Sequence, residues 1–403
     1  MNLRILVLSW EYPPYSVGGL ASHLYDLLPE LVELGIEVHL ITQGTNTTKE
    51  YEKEQGVNIY RVYTPEIEAN DFTSWVMLLN FKLLEKATSV LNRKKFDLIH
   101  GHDWLVTFAA QTLKHSNTLP LVTTIHATEV GRNQGIYNQQ QKYINDVEWW
   151  ATYESWQVIC CSDYMKSEVK DHFSVPDDKI KVIRNGVKEK SLTTGIQKNL
   201  RGRYAHSDEE IVYYIGRLVQ EKGVQFLLEA AEEILYHRPN VKFIISGSGP
   251  KSQDLKNQVN AASLTQKVKF TGQVDYKLRN SLYNIADVAV FPSLYEPFGI
   301  VALEAMVTKT PVVVSDVGGL GEIVTHNYNG LKAFPANAHS LATNILNALE
   351  KPNLAQQLAN NAYKIVNNKY NWQMIAKKTH QVYQDVIKEY QTCDWPNKLT
   401  TVN

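Results

Sequence analysis

Short β-branched runs alternate with longer helix-period segments along almost all of this 403-residue chain, and that alternation limits the fold more than any other feature. Strand patterns fall at Leu3–Ser9, Glu37–Thr42, Asn58–Tyr63, Asp97–His100, Leu121–Ile125 and Gln157–Cys161, with Lys179–Ile183 a further candidate. A second series follows at Ile211–Ile215, Val241–Ser246, Val268–Thr271, Val288–Phe291 and Pro311–Val314. Strand, helix and strand in repetition predict an α/β fold, with parallel sheets covered by helices on both faces.

So many strands exceed one ordinary sheet, and the polar, aperiodic stretch Lys188–Glu210 reads as a linker. The expectation is two doubly wound, Rossmann-like domains, residues 1–187 and 188–375. A terminal helix over about 376–403 would pack back on the first. Open α/β sheets bind ligands beyond the carboxyl ends of their strands, so the loops after each strand are where chemistry is sought.

Charge narrows the partners. Lys plus Arg (41) nearly balance Asp plus Glu (42), leaving no global field to attract nucleic acid or anionic lipid. Cys160, Cys161 and Cys393 form no C-x-x-C pair and read as reduced thiols. The chain opens directly into a strand pattern without a signal-peptide profile, and nowhere do about 18 apolar residues run together. A cytoplasmic location is the expectation.

The first strand leads into SWEYPPYSVGGL. Pro13 and Pro14 are expected to hold this segment extended. Gly18 and Gly19 then precede a helix whose free N–H groups suit an anion. The stretch fits neither G-x-G-x-x-G nor a Walker A loop. In the second half, Arg217 and Lys222 follow a strand and are placed to clamp a diphosphate, the alternative being ion pairs with Glu221 or Glu209. Gly247 and Gly249 mark another close-approach loop.

The sharpest signal is SLYEPFGIVALEAM. Glu304 stands among Val301, Ala302, Leu303, Ala305 and Met306, an expensive place for a carboxylate unless donors such as a ribose diol satisfy it. A wet helix face is the bland alternative. Glu296 lies just before the helix that Gly299 opens. His102 with Asp103, and His126, follow two adjacent strands of the first half. Without H-E-x-x-H, a Cys/His cluster or any Asp-x-Asp triplet, no metal is expected. The stripe Trp149, Tyr153 and Trp156 reads as core or as a sugar platform. Phe72–Leu91 reads as a buried helix or as peripheral membrane contact.

These motifs resemble the retaining glycosyltransferases of family 4, with the two-Rossmann-domain GT-B architecture facing across a cleft. The resemblance rests on the Glu296/Glu304 spacing in EPFGIVALEAM, on the GR…EKG pair, on the GGL loop and on VIRNGV, where Arg184 replaces the usual proline. SWEYPPYSVGGL and IHGHDW further resemble the glycogen and starch synthase branch. Ser16-Val17 stands where that branch often carries a lysine, which puts glucan elongation in doubt.

The resemblance implies roles. Glu304 would hold the ribose, Arg217 and Lys222 the diphosphate, and Gly19 the β-phosphate. Glu296 would face the donor sugar with backbone from Phe298, Gly299 and Ile300 assisting, His126 would approach its O6, and Asp103 would sit on the acceptor side. Gly247 and Val274 belong to the donor-side loops, Val274 near the base. Transfer would retain configuration and need no cofactor or metal, the nucleotide sugar being a substrate. The implied reaction moves a hexose, most simply glucose from UDP-glucose, to a carbohydrate or lipid-linked carbohydrate acceptor in exopolysaccharide assembly. Alternatives are a glycogen-type α-glucan synthase, a disaccharide synthase or a non-catalytic nucleotide-sugar sensor. Acceptor, linkage and oligomeric state are not legible in the sequence.

Overall fold

In the computed structural model, residues 3–64, 71–189, 192 and 200–395 are described. The chain divides into two compact units, Met1–Asn185 with Trp372–Asn403, and Gly186–Asn371. In the first, β1 (Arg4–Leu8), β2 (Glu37–Gln43), β3 (Tyr51–Glu54), β4 (Val57–Val62), β5 (Leu98–His102), β6 (Leu121–Ile125), β7 (Gln157–Cys160) and β8 (Ile180–Val182) form one sheet. Its order is β3-β4-β2-β1-β5-β6-β7-β8. The second carries β9 (Glu210–Ile215), β10 (Val241–Ser246), β11 (Val268–Gly272), β12 (Val288–Phe291), β13 (Val312–Ser315) and β14 (Leu331–Ala333). The order there is β11-β10-β9-β12-β13-β14. Strand order reverses at β1/β5 and at β9/β12, the switch points where α/β sheets place ligands.

Two strands escape the sequence pattern. Tyr51–Glu54 has little apolar content because it is an edge strand, paired only with β4 and antiparallel to it. Gln55 (φ 47°) and Gly56 (φ 83°) both take left-handed backbone in the two-residue turn between these strands, as type I′ hairpins require. Leu331–Ala333 closes the other sheet with three residues, too few to show a period. The expected all-parallel arrangement therefore holds except at the β3 edge.

Buried residues of β1, of the helix Gly19–Glu33 and of the C-terminal helix share one core. Helices Phe72–Leu91 and Thr107–Asn117 cover the other face through Leu79, Leu83, Ala109 and Leu113. The second unit has a core of its own around Val212, Phe243, Leu227 and Ile345. The last helix begins at Trp372 rather than near 376 and ends at Thr392. The expected linker residues Thr193, Thr194 and Gly195 lie outside the described residues, whereas Arg201 within that stretch binds Asp287 and the carbonyls of Ile285 and Glu209.

The aromatic stripe is not core throughout. Trp149 and Tyr153 are 45% and 65% exposed and stack on one another, while Trp156 is half-buried against Tyr390. Helix Phe72–Leu91 buries Val76, Leu79, Leu83, Ala87 and Val90 and leaves Phe72, Met77 and Phe81 exposed. All three cysteines are free thiols. Among the described residues, no helix is long and apolar enough to cross a membrane.

Candidate active site

In the second unit the site is assembled at the carboxyl ends of β9, β10 and β12. β9 ends at Ile215, and exposed Arg217 follows, its carbonyl accepting a hydrogen bond from the Tyr214 hydroxyl (3.1 Å). Lys222 closes a short helical turn and donates to Glu296 Oε2 at 2.7 Å, not to Glu221 or Glu209. Glu209 is instead engaged by Lys267. Ser293 Oγ also donates to Glu296 Oε2 (3.1 Å), so this carboxylate, 8% exposed, is bound by an ammonium and a hydroxyl. The Glu221 carbonyl accepts from the backbone N–H groups of Leu294 and Tyr295, tying the lysine turn to the Glu296 loop.

Glycine makes this closeness possible. Gly223 has φ +68°, and a Cβ there would stand 1.9 Å from the Pro292 carbonyl oxygen. Gly299 (φ +106°) opens the helix Ile300–Val307, Phe298 is buried before it, and the Glu296 carbonyl accepts from Gly319 N–H. Gly247 donates its N–H to the Gly272 carbonyl, which brings it beside the loop holding half-buried Val274.

Glu304 is not on a wet face. It is 7% exposed and accepts from Arg279 Nη1 (Oε1, 2.8 Å) and from the Tyr283 hydroxyl (Oε2, 3.0 Å). Both donors come from the helix Tyr276–Ile285, whose amphipathic pattern gave no sign of a site. Burial and the nearby Glu304 charge raise the Tyr283 hydroxyl well above its usual range, so it stays a donor. Each carboxylate oxygen retains acceptor capacity for a further hydroxyl.

In the first unit the loop after β1 does not run extended. Tyr12 and Tyr15 pair in an antiparallel bridge around a cis Pro13–Pro14 bond, and the Arg61 guanidinium donates to the Pro13 carbonyl. Nor are the loop's N–H groups free: buried Glu11 accepts from the backbone of both Val17 and Gly18. Exposed Gly19 is the first residue of the helix that follows.

At the ends of β5 and β6 the sequence candidates converge with others it did not reveal. Asp103, 7% exposed and with φ 60°, accepts from His126 N–H at 2.7 Å. Burial raises its carboxyl to about 6 against these backbone bonds. His126 Nε2 lies 3.1 Å from His102 Nδ1, one donating to the other. His23, from the first helix, joins them: one ring nitrogen of each of His23, His102 and His126 lies within 4.8 Å of the other two. His23 Nδ1 is 2.7 Å from Asn185 Oδ1. His100 behind them bonds the Tyr383 hydroxyl and Thr124 Oγ1. Burial lowers all four imidazoles, His100 and His126 to about 3, so they are neutral near pH 7. The absence of a histidine cluster, read from local spacing, is thus corrected by tertiary contact.

These features match known proteins. Residues 17–190 match the family described as Glycosyltransferase Family 4, and residues 196–365 match Glycosyl transferases group 1. An uncharacterized glycosyltransferase of Methanocaldococcus jannaschii is 42% identical over 95% of this chain and 98% of its own. Glycogen synthase of Mycobacterium tuberculosis is 32% identical over 94% of each. The structure of Anabaena HepE in complex with UDP-glucose superposes with a TM-score of 0.78 at 21% identity, covering 95% of this chain and all of that one. The two doubly wound α/β units described above are those of the GT-B architecture, and the chain belongs to glycosyltransferase family 4.

Proposed function

We propose that the protein transfers glucose from UDP-glucose to a carbohydrate acceptor, with retention of configuration and without metal, in extracellular polysaccharide assembly. The observation that carries this reading is the Lys222–Glu296 pair together with the buried, doubly hydrogen-bonded Glu304. Arg279 and Tyr283 donate to Glu304 and fix its carboxylate, whose remaining lone pairs are acceptors suited to a ribose diol. Lys222, 23% exposed at its side chain, is held by Glu296 and is long enough to turn to a phosphate oxygen, where exposed Arg217 supplies the second cation.

Departure of the nucleotide diphosphate develops negative charge, and these two cations neutralise it where it forms. Glu296 then faces the hydroxyls of the sugar. The departing phosphate accepts the proton of the incoming hydroxyl, so no protein base is needed. His126 and the Gly19 loop of the first unit are assigned to the sugar and to phosphate, and Asp103 holds the His126 backbone. The choice of donor is supported by the likeness to HepE, which was crystallised in complex with UDP-glucose.

A second reading, elongation of an α-glucan, is favoured by the full-length likeness to glycogen synthase. Nucleotide release from UDP-, ADP- and GDP-sugars in EDTA, with and without glycogen or other glycan acceptors, decides between them. Release from UDP-glucose should fall on the order of a hundredfold or more in Lys222→Ala and be lost in Glu296→Gln. Unchanged turnover in both variants would remove the site assignment, and release only with glycogen would select the second reading.

A further inference from the structure

We propose that His23, His102 and His126 form a transition-metal site, taking a zinc-class divalent ion that inhibits the enzyme rather than serving it. The inhibitory half rests on the assignment of His126 made above; the binding half does not. Neutral imidazoles are the ligands that zinc, cobalt, nickel and copper share, and three of them with an open fourth position is an established zinc donor set.

The geometry is part-built. Zn–N bonds of about 2.0–2.1 Å set tetrahedral ligands about 3.3 Å apart. His102 Nδ1 and His126 Nε2 already stand 3.1 Å apart. The widest spacing in the trio is within 4.8 Å, so closure about an ion needs side-chain movements of about 1.5 Å. His23 has an unengaged nitrogen to offer. Asn185 Oδ1 can only accept, so His23 Nδ1 carries the hydrogen, which leaves Nε2 a bare lone pair. That nitrogen is fully buried and has no partner among the described residues, and His23 as a whole is 5% exposed. A buried acceptor without a donor costs about 1–3 kcal/mol, and a cation would satisfy it. His102 Nε2 is likewise buried without a partner among the described residues. Asn185 stands as the outer partner that fixes a metal-binding histidine's tautomer. An ion held here would hold the His126 ring in place and remove it from a sugar hydroxyl.

The test is calorimetric titration of Zn2+ into the full-length protein at neutral pH, with Co2+ as a spectroscopic probe, neither of which needs a sugar donor. One ion per chain and tetrahedral Co2+ bands are expected. Affinity should fall about tenfold or more in Asn185→Ala and further in His23→Gln, while His339→Asn, an exposed histidine elsewhere, changes nothing. Circular dichroism checks that each variant is folded; should His23→Gln not fold, Asn185→Ala carries the comparison. Binding that is absent, or equal in wild type and Asn185→Ala, overturns the site. Binding that leaves nucleotide release unaltered overturns the inhibitory role while leaving the proposed function intact.

Discussion

A neutral imidazole packed within a protein is a residue whose charge state the fold has chosen. His23, His100, His102 and His126 all have folded pKa values below the usual 6.5, by burial foremost. Their contribution is complete above about pH 6.5 and is lost as pH falls through their folded values, about 3 for His100 and His126, because the unfolded chain takes up the protons first. Asp103 and Glu148 act oppositely. Burial raises them to about 6 and about 8, so their contribution is complete in acid and is lost as pH rises through those values. Between about pH 4.5 and 6 the four imidazoles and His39, likewise lowered foremost by burial, gain against two that lose, a net slope of about 4 kcal/mol per pH unit at most. Thermal stability should therefore rise to a maximum near pH 6.5 and decline gently toward pH 8 as Glu148 ionises. Scanning calorimetry across that range tests it. A melting temperature that is flat or falling from pH 4.5 to 6 would show that the imidazoles are solvated.

At the scale of elements, the loops after β9 and β10 interlock through absent side chains. A Cβ on Gly247, at φ +130°, would lie 1.9 Å from the carbonyl oxygen of Gly216, and one on Gly249 would lie 2.3 Å from that of Leu218. Gly247→Ala should push the Gly216–Arg217 turn aside, cost about 1–3 kcal/mol of stability and weaken UDP binding about tenfold or more. Gly202→Ala, where nothing lies within 4 Å, is the control. Equal UDP affinity in the two variants would detach this turn from the nucleotide. Such loops were partly legible in advance. Strands rich in Val, Ile and Tyr announced themselves, and Glu304 stood out because a carboxylate amid apolar neighbours needs donors. The donors did not: Arg279 and Tyr283 occupy ordinary helical positions, and only packing turns them toward Glu304. The Tyr12–Tyr15 turn and the Glu11 carboxylate under Val17 and Gly18 were equally hidden, since both depend on how the loop folds on itself. His23 was missed for the same reason, its neighbours arriving from β5 and β6.

Over the whole molecule, order along the chain and membership of a folding unit part company at Trp372. The helix Trp372–Thr392 follows the second unit in sequence but belongs to the first. Trp372, Ile375, Val382, Tyr383 and Val386 are each at most 6% exposed, in the core shared with β1 and the helix Gly19–Glu33. At about 1.5–3 kcal/mol for each large side chain buried, this helix contributes on the order of 10 kcal/mol of transfer free energy. A whole domain is stable by only about 5–15 kcal/mol. The polar bonds point the same way, the Tyr383 hydroxyl meeting His100 at 2.7 Å and the Tyr390 hydroxyl the Thr118 carbonyl. Truncation after Asn371 should thus leave the first unit unfolded while residues 186–371, with a separate core, stay folded. The truncated chain should show one thermal transition, matching that of an isolated 186–371 fragment, and limited proteolysis should degrade residues 1–185 first. Retention of both transitions after truncation would mean that β1 and the helix Gly19–Glu33 close their core unaided. The His100–Tyr383 bond would then be an accessory to that unit, not part of what folds it.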